Sequence, residues 1–172
     1  MNKRIETQAG EILNQFKISK APIPIEKIAL KLNLAVTPTD LGPGISGALV
    51  ITDGKASIGI NPNESKVRRR FTIAHELGHY ILHKSANNLF VEKRFFFRDE
   101  ESSLGEEKKE REANAFAAAL LMPADLLKIE IDSVNNSTSI ENDEDLVSHL
   151  AKLFDVSEMA MTYRLMNLNY IS

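Results

Sequence analysis

The chain has 172 residues, 43% of them hydrophobic and 26% charged, which suits one globular domain with at most a small appendage. It contains no cysteine, which excludes disulfide bonds and thiolate ligands, and its net charge of −3 argues against nucleic-acid binding as the main function. No apolar run approaches the ~18 residues of a membrane span, and no apolar segment follows the basic N-terminus, so we expect a cytoplasmic protein.

The first half of the chain predicts helices on either side of a β-hairpin. Residues 3–17 place apolar side chains at helical spacing, and the prolines of "APIPIEKIALKLNLAV" introduce a second, short helix over 24–32. Two β-rich runs within 46–60 flank Asp53-Gly54, a pair typical of a type I′ turn, because both central residues of that turn have positive φ. A long helix is predicted over 65–83.

The segment after this helix predicts one more strand and a second long helix. Residues 85–101 contain "LFVEKRFFF", which indicates a strand or an ordered flap. Ser103 and Glu106 have the spacing of a capping box. A helix over about 104–121 follows, and Pro123 ends it.

The C-terminal residues predict a polar loop over 132–142 and two short helices, at about 143–153 and 157–167. Together these elements indicate an α+β fold, mainly helical, with a small β-sheet or hairpin beside the long helix and a helix-turn-helix-like end. We expect a main domain over 1–130. A helical extension over 131–172 would pack on it to form a single compact unit.

The stretch "RRRFTIAHELGHYILH" at residues 68–83 carries an HExxH motif. His75 and His79 are one turn apart on one helix face, so their imidazoles can converge on one Zn²⁺ ion at ~2.0–2.1 Å. Glu76 points about 100° away around the helix, so it can reach a water on the metal as a general base without becoming a ligand. Because the segment is otherwise apolar, these polar groups are expected to be buried and to need partners.

Two other residues of this helix restrict the site. Gly78 costs about 1 kcal/mol of helix propensity, so we expect a close approach by a neighbouring element. His83 continues the series of histidines, but the rise along the helix from His75 to His83 is about 12 Å, which is too far for one tetrahedral ion. We therefore expect His83 to lie at the end of the helix or to contact a ligand residue without binding the metal itself.

A catalytic zinc site usually has a third protein ligand, and without cysteine the candidates are His149 and the acidic residues. In "EREANAFAAALLMP", Glu110 and Asn114 are the polar members of a helix face of small residues, so Glu110 fits a ligand and Asn114 a group that orients a histidine. Glu112 is the rival ligand. The alternative is that both glutamates belong to the solvated charge run "EEKKERE".

These two motifs resemble the ImmA/IrrE family of bacterial metallopeptidases. The resemblance extends through "PIPIEKIALKLNLAV", "INPN" and "LAKLFDVSEMAMTYRL", and so covers most of residues 20–168. It implies a gluzincin-like site with one zinc per chain, ligands His75, His79 and Glu110, and general base Glu76. The family pattern Glu-x-x-Ala-Asn favours Glu110, although Asn114 stands where related enzymes carry an aspartate.

Members of this family typically cleave helix-turn-helix repressors of phages and mobile elements, so the resemblance implies such a protein partner.

The same resemblance implies a mechanism. Zinc would lower the pKa of a bound water, and Glu76 would take a proton from that water and deliver it to the leaving amine. An oxyanion donor or substrate contact is also expected, and four residues are candidates for it: Tyr80, His83, Tyr163 and Arg164. The substrate could pair with the free edge of the 46–60 hairpin, an alternative to the hairpin being scaffold only.

Two other functions compete with proteolysis. The first is a DNA-binding module, since "LAKLFDVSEMAMTYRL" has helix-turn-helix spacing with Ser157 as an N-cap. Residues 123–172, however, hold nine acidic against three basic residues, a net charge of −6, which disfavours direct DNA binding. The second is a toxin-antitoxin or regulatory protein whose zinc site acts by binding rather than turnover. Glu76 argues against it, because a structural site does not need a general base.

Substrate selectivity is expected to be narrow, because an unrestricted protease would damage its own cell. The acidic C-terminal helices could attract a basic DNA-binding partner. The segment over 85–101 lies between the two helices of the metal motif and could line the substrate-binding cleft with four phenylalanines: Phe90, Phe95, Phe96 and Phe97. The alternative is that these phenylalanines belong to the hydrophobic core.

Overall fold

The computed structural model describes residues 2–53, 55–83, 88–93, 104–135, 140 and 142–171, with the backbone alone for 88–93, 104 and 135. These residues form an α+β fold that is mainly helical, as predicted. The helices are α1 (Lys3–Gln15), α2 (Ile25–Lys31), α3 (Lys66–Leu82), α4 (Leu104–Leu121), α5 (Ala124–Asn135), α6 (Asp143–Phe154) and α7 (Glu158–Asn167). The strands are β1 (Leu34–Pro38), β2 (Ile45–Thr52), β3 (Lys55–Ile60) and β4 (Asn88–Lys93).

The strands form one sheet in the order β1-β3-β2-β4, with β1 parallel to β3 and the other pairs antiparallel. The predicted hairpin is confirmed, because Thr52 pairs with Lys55 and Asp53 has the positive φ, 49°, that its turn requires. Gly54 lies outside the described residues. The prediction of a free edge on this hairpin is wrong, since β1 covers β3 and β4 covers β2.

The helix α3 forms where the sequence predicts it and packs its apolar face on the sheet. The Ser65 hydroxyl caps its first turn by accepting a hydrogen bond from the backbone N–H of Arg68, at 3.3 Å. Ile73 and Leu77 are fully buried, and α3 contacts both β2 and α2. The two histidines of the motif are therefore carried by a helix that is held from two sides.

By its contacts the chain divides into two units: Met1–Ile23 with Ala118–Ser172, and Pro24–Ala117. This division differs from the expected boundary after residue 130, because α1 joins the C-terminal helices. The buried Arg164 donates two hydrogen bonds to the Glu6 carboxylate, at 2.6 and 2.9 Å, and one to the Met122 carbonyl, at 2.9 Å. The ion pair between Glu6 and Arg164 thereby links α1 to α7 within the first unit, across 158 positions of sequence.

Two elements are absent from the sequence-based prediction. β1 follows α2 directly, and α5 continues to Asn135, so the predicted loop is wrong for residues 132–135. Leu127, Ile131 and Val134 are buried at helical spacing in α5, a signal that could have identified it.

Some predictions fall on residues that the structure does not describe. Residues 136–139 and 141 lie outside the described part, as does the capping-box Ser103. The strand predicted within 85–101 is confirmed as β4, while residues 94–103, with three of the phenylalanines, are not described.

The predicted C-terminal helix pair is present as α6 and α7. Asp155 ends α6 in the left-handed conformation, with φ 55°, and the Ser157 hydroxyl accepts from the Ala160 N–H to cap α7, as expected. In the part of the chain that the structure describes, no helix has the length and apolarity needed to cross a membrane.

Candidate metal centre

The two histidines of α3 meet edge to face inside the unit Pro24–Ala117. His75 and His79 are each 1% exposed, and their Nε2 atoms lie 3.0 Å apart. Their ring centroids are 4.7 Å apart at an interplanar angle of 74°. The helical spacing of four residues thus directs both Nε2 atoms to a common point.

Glu110 of α4 brings a carboxylate to the same point. Its Oε2 lies 3.2 Å from His75 Nε2 and its Oε1 lies 3.0 Å from His79 Nε2. Burial raises the pKa of Glu110, but hydrogen bonds and attraction from the two histidines lower it by more, to about 2. Glu110 is consequently ionised at neutral pH, the state that a metal ligand requires.

These three side chains fit a divalent metal ion. Two imidazole nitrogens and one carboxylate are a donor set that zinc accepts, and each ligand atom lies within 4.8 Å of the others. Tetrahedral bonds of ~2.0–2.1 Å place neighbouring ligand atoms about 3.3 Å apart. The observed separations of 3.0 to 3.2 Å are close to that value, so the cluster could bind a metal ion.

Asn114, one turn after Glu110 on α4, is hydrogen-bonded to one of the histidines. Its Oδ1 accepts a hydrogen bond from His75 Nδ1–H at 3.0 Å. Because an amide oxygen can only accept, Nδ1 carries the proton and the His75 Nε2 lone pair is left for a ligand bond. Asn114 therefore makes the contact with a histidine for which the sequence made it a candidate.

Gly78 allows α3 and α4 to approach closely, as its position in a buried helix led us to expect. A Cβ at residue 78 would lie 3.0 Å from the Cα of Ala113 and 3.1 Å from its carbonyl oxygen. Both are backbone atoms, so the two helices touch at this point without an intervening side chain. This contact lies beside His79 on α3 and three residues from Glu110 on α4, at the point where the histidines and the carboxylate come together.

Glu76 is fully buried and lies against β2. A Cβ added to Gly47 would overlap the Thr72 methyl group and would lie 3.6 Å from Glu76 Oε1. The absence of a side chain at Gly47 therefore leaves room for the Thr72 methyl group, and the Glu76 carboxylate lies next to this point. Sequence reasoning missed Gly47 and Thr72, although an isolated glycine inside a strand pattern is a signal of close approach.

A bulge in β2 precedes Gly47 and is held by a buried polar cluster. Ile45 pairs with Lys93 and Gly47 with Glu92, so Ser46 is the extra residue. The Ser46 hydroxyl donates to Glu64 Oε1 at 3.0 Å and accepts from the Arg68 guanidinium at 3.3 Å. Since Arg68 belongs to α3, this cluster ties the bulge to the helix that carries the histidines.

His83 lies at the C-terminal end of α3 and bonds to α4. Its Nε2–H donates to the Lys109 carbonyl at 3.2 Å, and the same nitrogen is 3.6 Å from Glu112 Oε2. Burial and repulsion by His79 lower the pKa of His83 despite the opposing effects of Lys109 and Glu112, which favours the neutral ring. The structure thus brings Glu110 to the histidine pair and Glu112 to His83.

The three remaining candidates lie in different surroundings. Tyr80 is half-buried on α3, next to His79. Tyr163 and Arg164 belong to the other unit, where Tyr163 is 62% exposed and Arg164 is held by Glu6 and the Met122 carbonyl. These contacts give the Arg164 guanidinium a structural role.

Two curated proteins are similar to this chain over much of its length. The chain is 30% identical over 155 residues to "Uncharacterized immunity region protein 2" of Bacillus phage phi105, which covers 90% of this chain and 91% of that protein. It is 27% identical over 113 residues to "Metallopeptidase ImmA" of Bacillus subtilis (strain 168), which covers 66% of this chain and 58% of that protein.

A solved structure shares the fold. The "Mycobacterium tuberculosis transcriptional regulator" superposes with a TM-score of 0.63 at 18% identity over 94% of this chain. The chain spans 46% of that protein, about half its length. The profile of the IrrE N-terminal-like domain, peptidase family M78, matches residues 29–166. Because this match covers most of the chain, the protein belongs to the IrrE N-terminal-like, or ImmA/IrrE, family of metallopeptidases.

Proposed function

We propose that this protein is a zinc-dependent endopeptidase that binds one zinc ion per chain through His75, His79 and Glu110. The observation that carries the proposal is the convergence of His75 and His79 with Glu110 beside α3, the helix that also carries Glu76. The two Nε2 atoms are 3.0 Å apart, and each lies within 3.2 Å of a Glu110 carboxylate oxygen. A purely structural site would have no use for a buried glutamate beside its ligands. The similarity to a protein named metallopeptidase supports the same function.

Zinc, when bound, supplies a Lewis acid that acidifies water and polarises a peptide carbonyl. Glu76 takes the proton of the attacking water as a general base and then delivers it to the leaving amine. Asn114 keeps His75 in the tautomer that binds metal. Tyr80 and His83, which share α3 with the ligands, are our candidates for the donor that stabilises the developing oxyanion.

We further propose that an extended substrate pairs with β4 instead of with the hairpin. Among the described strands β4 has β2 as its neighbour on one side, which leaves its other edge for pairing. Glu92 of β4 pairs with Gly47, the residue that packs against Glu76. A peptide on this edge would therefore run alongside the strand pair that lies next to the general base.

The substrate in this proposal is a helix-turn-helix repressor of the phage or stress-response type, and the protein acts in the cytoplasm. The relative from a phage immunity region supports such a partner. Direct DNA binding is disfavoured, because the one cation of α7, Arg164, is buried and paired with Glu6. Selectivity is narrow, so zinc-loaded protein should cleave casein slowly or not at all.

The test is co-expression with the repressor encoded by the adjacent gene, comparing the wild type with Glu76→Gln. We expect one or two cuts by the wild type and a loss of at least ~10²-fold in the variant, the usual scale of a general base. Zinc content and the circular dichroism spectrum should be unchanged in Glu76→Gln. Equal cleavage by both proteins would show that another group activates the water.

A further inference from the structure

Helix α7 presents a row of large apolar side chains to solvent. Met159, Tyr163 and Met166 are 68%, 62% and 44% exposed. They are spaced by four and three residues, which places them on one face of the helix. The opposite face holds the buried Met161, and Tyr170 extends the exposed row past the end of the helix at 38% exposure.

This row is not a scatter of single exposed residues. The described part of the chain has seven large apolar side chains with substantial exposure, and four of them lie between residues 159 and 170. Single exposed apolar residues are normal, whereas grouped ones indicate an interaction surface. Tyrosine and methionine are also enriched at protein interfaces, where methionine adapts to varied partners. We refer to Met159, Tyr163, Met166 and Tyr170 as the α7 face.

The exposed charges of α6 and α7 indicate what kind of partner would bind the α7 face. Glu158 is exposed at the start of α7, and the first turn of the adjoining α6 carries three exposed acidic residues, Asp143, Glu144 and Asp145. Lys152 is the exposed cation of these two helices, because Arg164 is buried against Glu6. Such a surface repels phosphate groups and attracts a basic protein.

We propose that the α7 face is a docking surface for a basic, DNA-binding protein partner, which binds through its cationic surface and places an apolar side chain against Met159 and Tyr163. The proposal rests on the proposed peptidase function for the identity of that partner as the substrate. Docking outside the peptide-bond site lowers the KM for the folded substrate and leaves kcat unchanged. It also accounts for narrow selectivity, since an unfolded protein such as casein lacks the matching surface.

The first experiment measures binding without turnover. The Glu76→Gln protein, loaded with zinc, is titrated with the helix-turn-helix repressor encoded by the adjacent gene, and the Kd is measured by calorimetry. Adding Met159→Ala and Tyr163→Ala should raise the Kd at least about tenfold, as expected for apolar anchors of an interface. Adding Ile129→Ala instead, at a residue 60% exposed on α5, is the matched control and should leave the Kd within about twofold.

The second experiment tests the charges. Glu158→Lys should weaken binding and reduce its dependence on salt, because it replaces an attractive charge by a repulsive one. Glu26→Lys places the same change at an exposed position of α2 and should have no effect. Equal Kd values for the α7 variants and their controls, or no saturable binding at all, would overturn the docking proposal. Self-association of the chain that Tyr163→Ala abolishes would assign the face to a second copy instead.

The outcomes separate the docking surface from the peptidase proposal. A repressor that binds through the α7 face but is never cut supports the docking surface and contradicts the proposed reaction. A repressor that is cut by the active Met159→Ala protein with unchanged KM supports the reaction and contradicts the docking surface. We expect Met159→Ala to raise the KM with no change in kcat, while casein cleavage stays equally slow.

Discussion

The Gly78→Ala substitution tests whether the close approach of α3 and α4 outweighs the preference of helices for alanine. Alanine in place of glycine inside a helix stabilises it by about 1 kcal/mol. At position 78 the new Cβ would meet backbone atoms of Ala113 at 3.0 and 3.1 Å and the Phe116 Cβ at 3.3 Å. No rotamer change relieves a backbone contact, and overpacking costs about 1–3 kcal/mol. We therefore expect a net destabilisation of up to about 2 kcal/mol.

Gly10→Ala is the matched control for this prediction. Gly10 lies inside α1, and beyond its two flanking residues and the backbone of its own helix no heavy atom of the described residues lies within 4 Å of the position its Cβ would take. Alanine can therefore be added there without a contact. The substitution should stabilise the protein by up to about 1 kcal/mol. The two variants thus carry the same chemical change with opposite expected signs.

Thermal unfolding of the metal-free proteins, followed by circular dichroism, measures both effects. A loss of 2 kcal/mol in a chain of this length corresponds to a fall in Tm of about 4–8 °C. Zinc affinity, measured by competition with a chelator, should also fall in Gly78→Ala, because displacement of α4 moves Glu110 away from the histidines. If Gly78→Ala raises the Tm as much as Gly10→Ala does, the close contact does not set the helix spacing.

Three further predictions concern the ligands and the residues around them. Glu110→Ala should lose stoichiometric zinc in equilibrium dialysis while Glu112→Ala keeps it, and the reverse result would exchange their assignments. Asn114→Ala should weaken zinc binding by roughly 10- to 100-fold in chelator competition, since His75 loses the acceptor that orients it; unchanged affinity would contradict this role. Gly47→Ala should destabilise the protein by about 1–3 kcal/mol through overlap with the Thr72 methyl group, as measured by urea unfolding. Adding Thr72→Ser removes that methyl and should restore much of the stability, and a double variant as unstable as the single one would refute the contact.

Local patterns accounted for the parts of the candidate site that lie within one helix. The spacing of His75 and His79 follows from the period of α3, and Asn114 lies one turn from Glu110 for the same reason. Gly78 marked a close approach because glycine is otherwise unfavourable inside a helix. Gly47, a glycine inside a strand, also signals a close approach, but its neighbours Thr72 and Glu76 could not be identified locally, because they come from a helix that begins many residues later.

The choice between Glu110 and Glu112 shows the limit of such patterns. Both glutamates belong to a charged run, and the sequence favoured Glu110 only through its small neighbours and the family pattern. The rotation of α4 about its axis depends on the close approach of the Ala113 backbone to Gly78. Because this contact joins two different helices, the periodicity of either helix alone does not predict it. That contact brings Glu110 to the histidine pair and Glu112 to His83.

The sequence alone determined six of the seven described helices, the Asp53-Gly54 hairpin and the α+β class, because periodicity, caps and turn residues act over a few positions. Only the tertiary structure decided which strands flank the hairpin and which helix α1 joins. Strand order depends on pairings between distant segments, such as β1 with β3. The Glu6–Arg164 ion pair likewise joins residues 158 positions apart. Such contacts form because distant surfaces match in shape and charge, which no short stretch of sequence records.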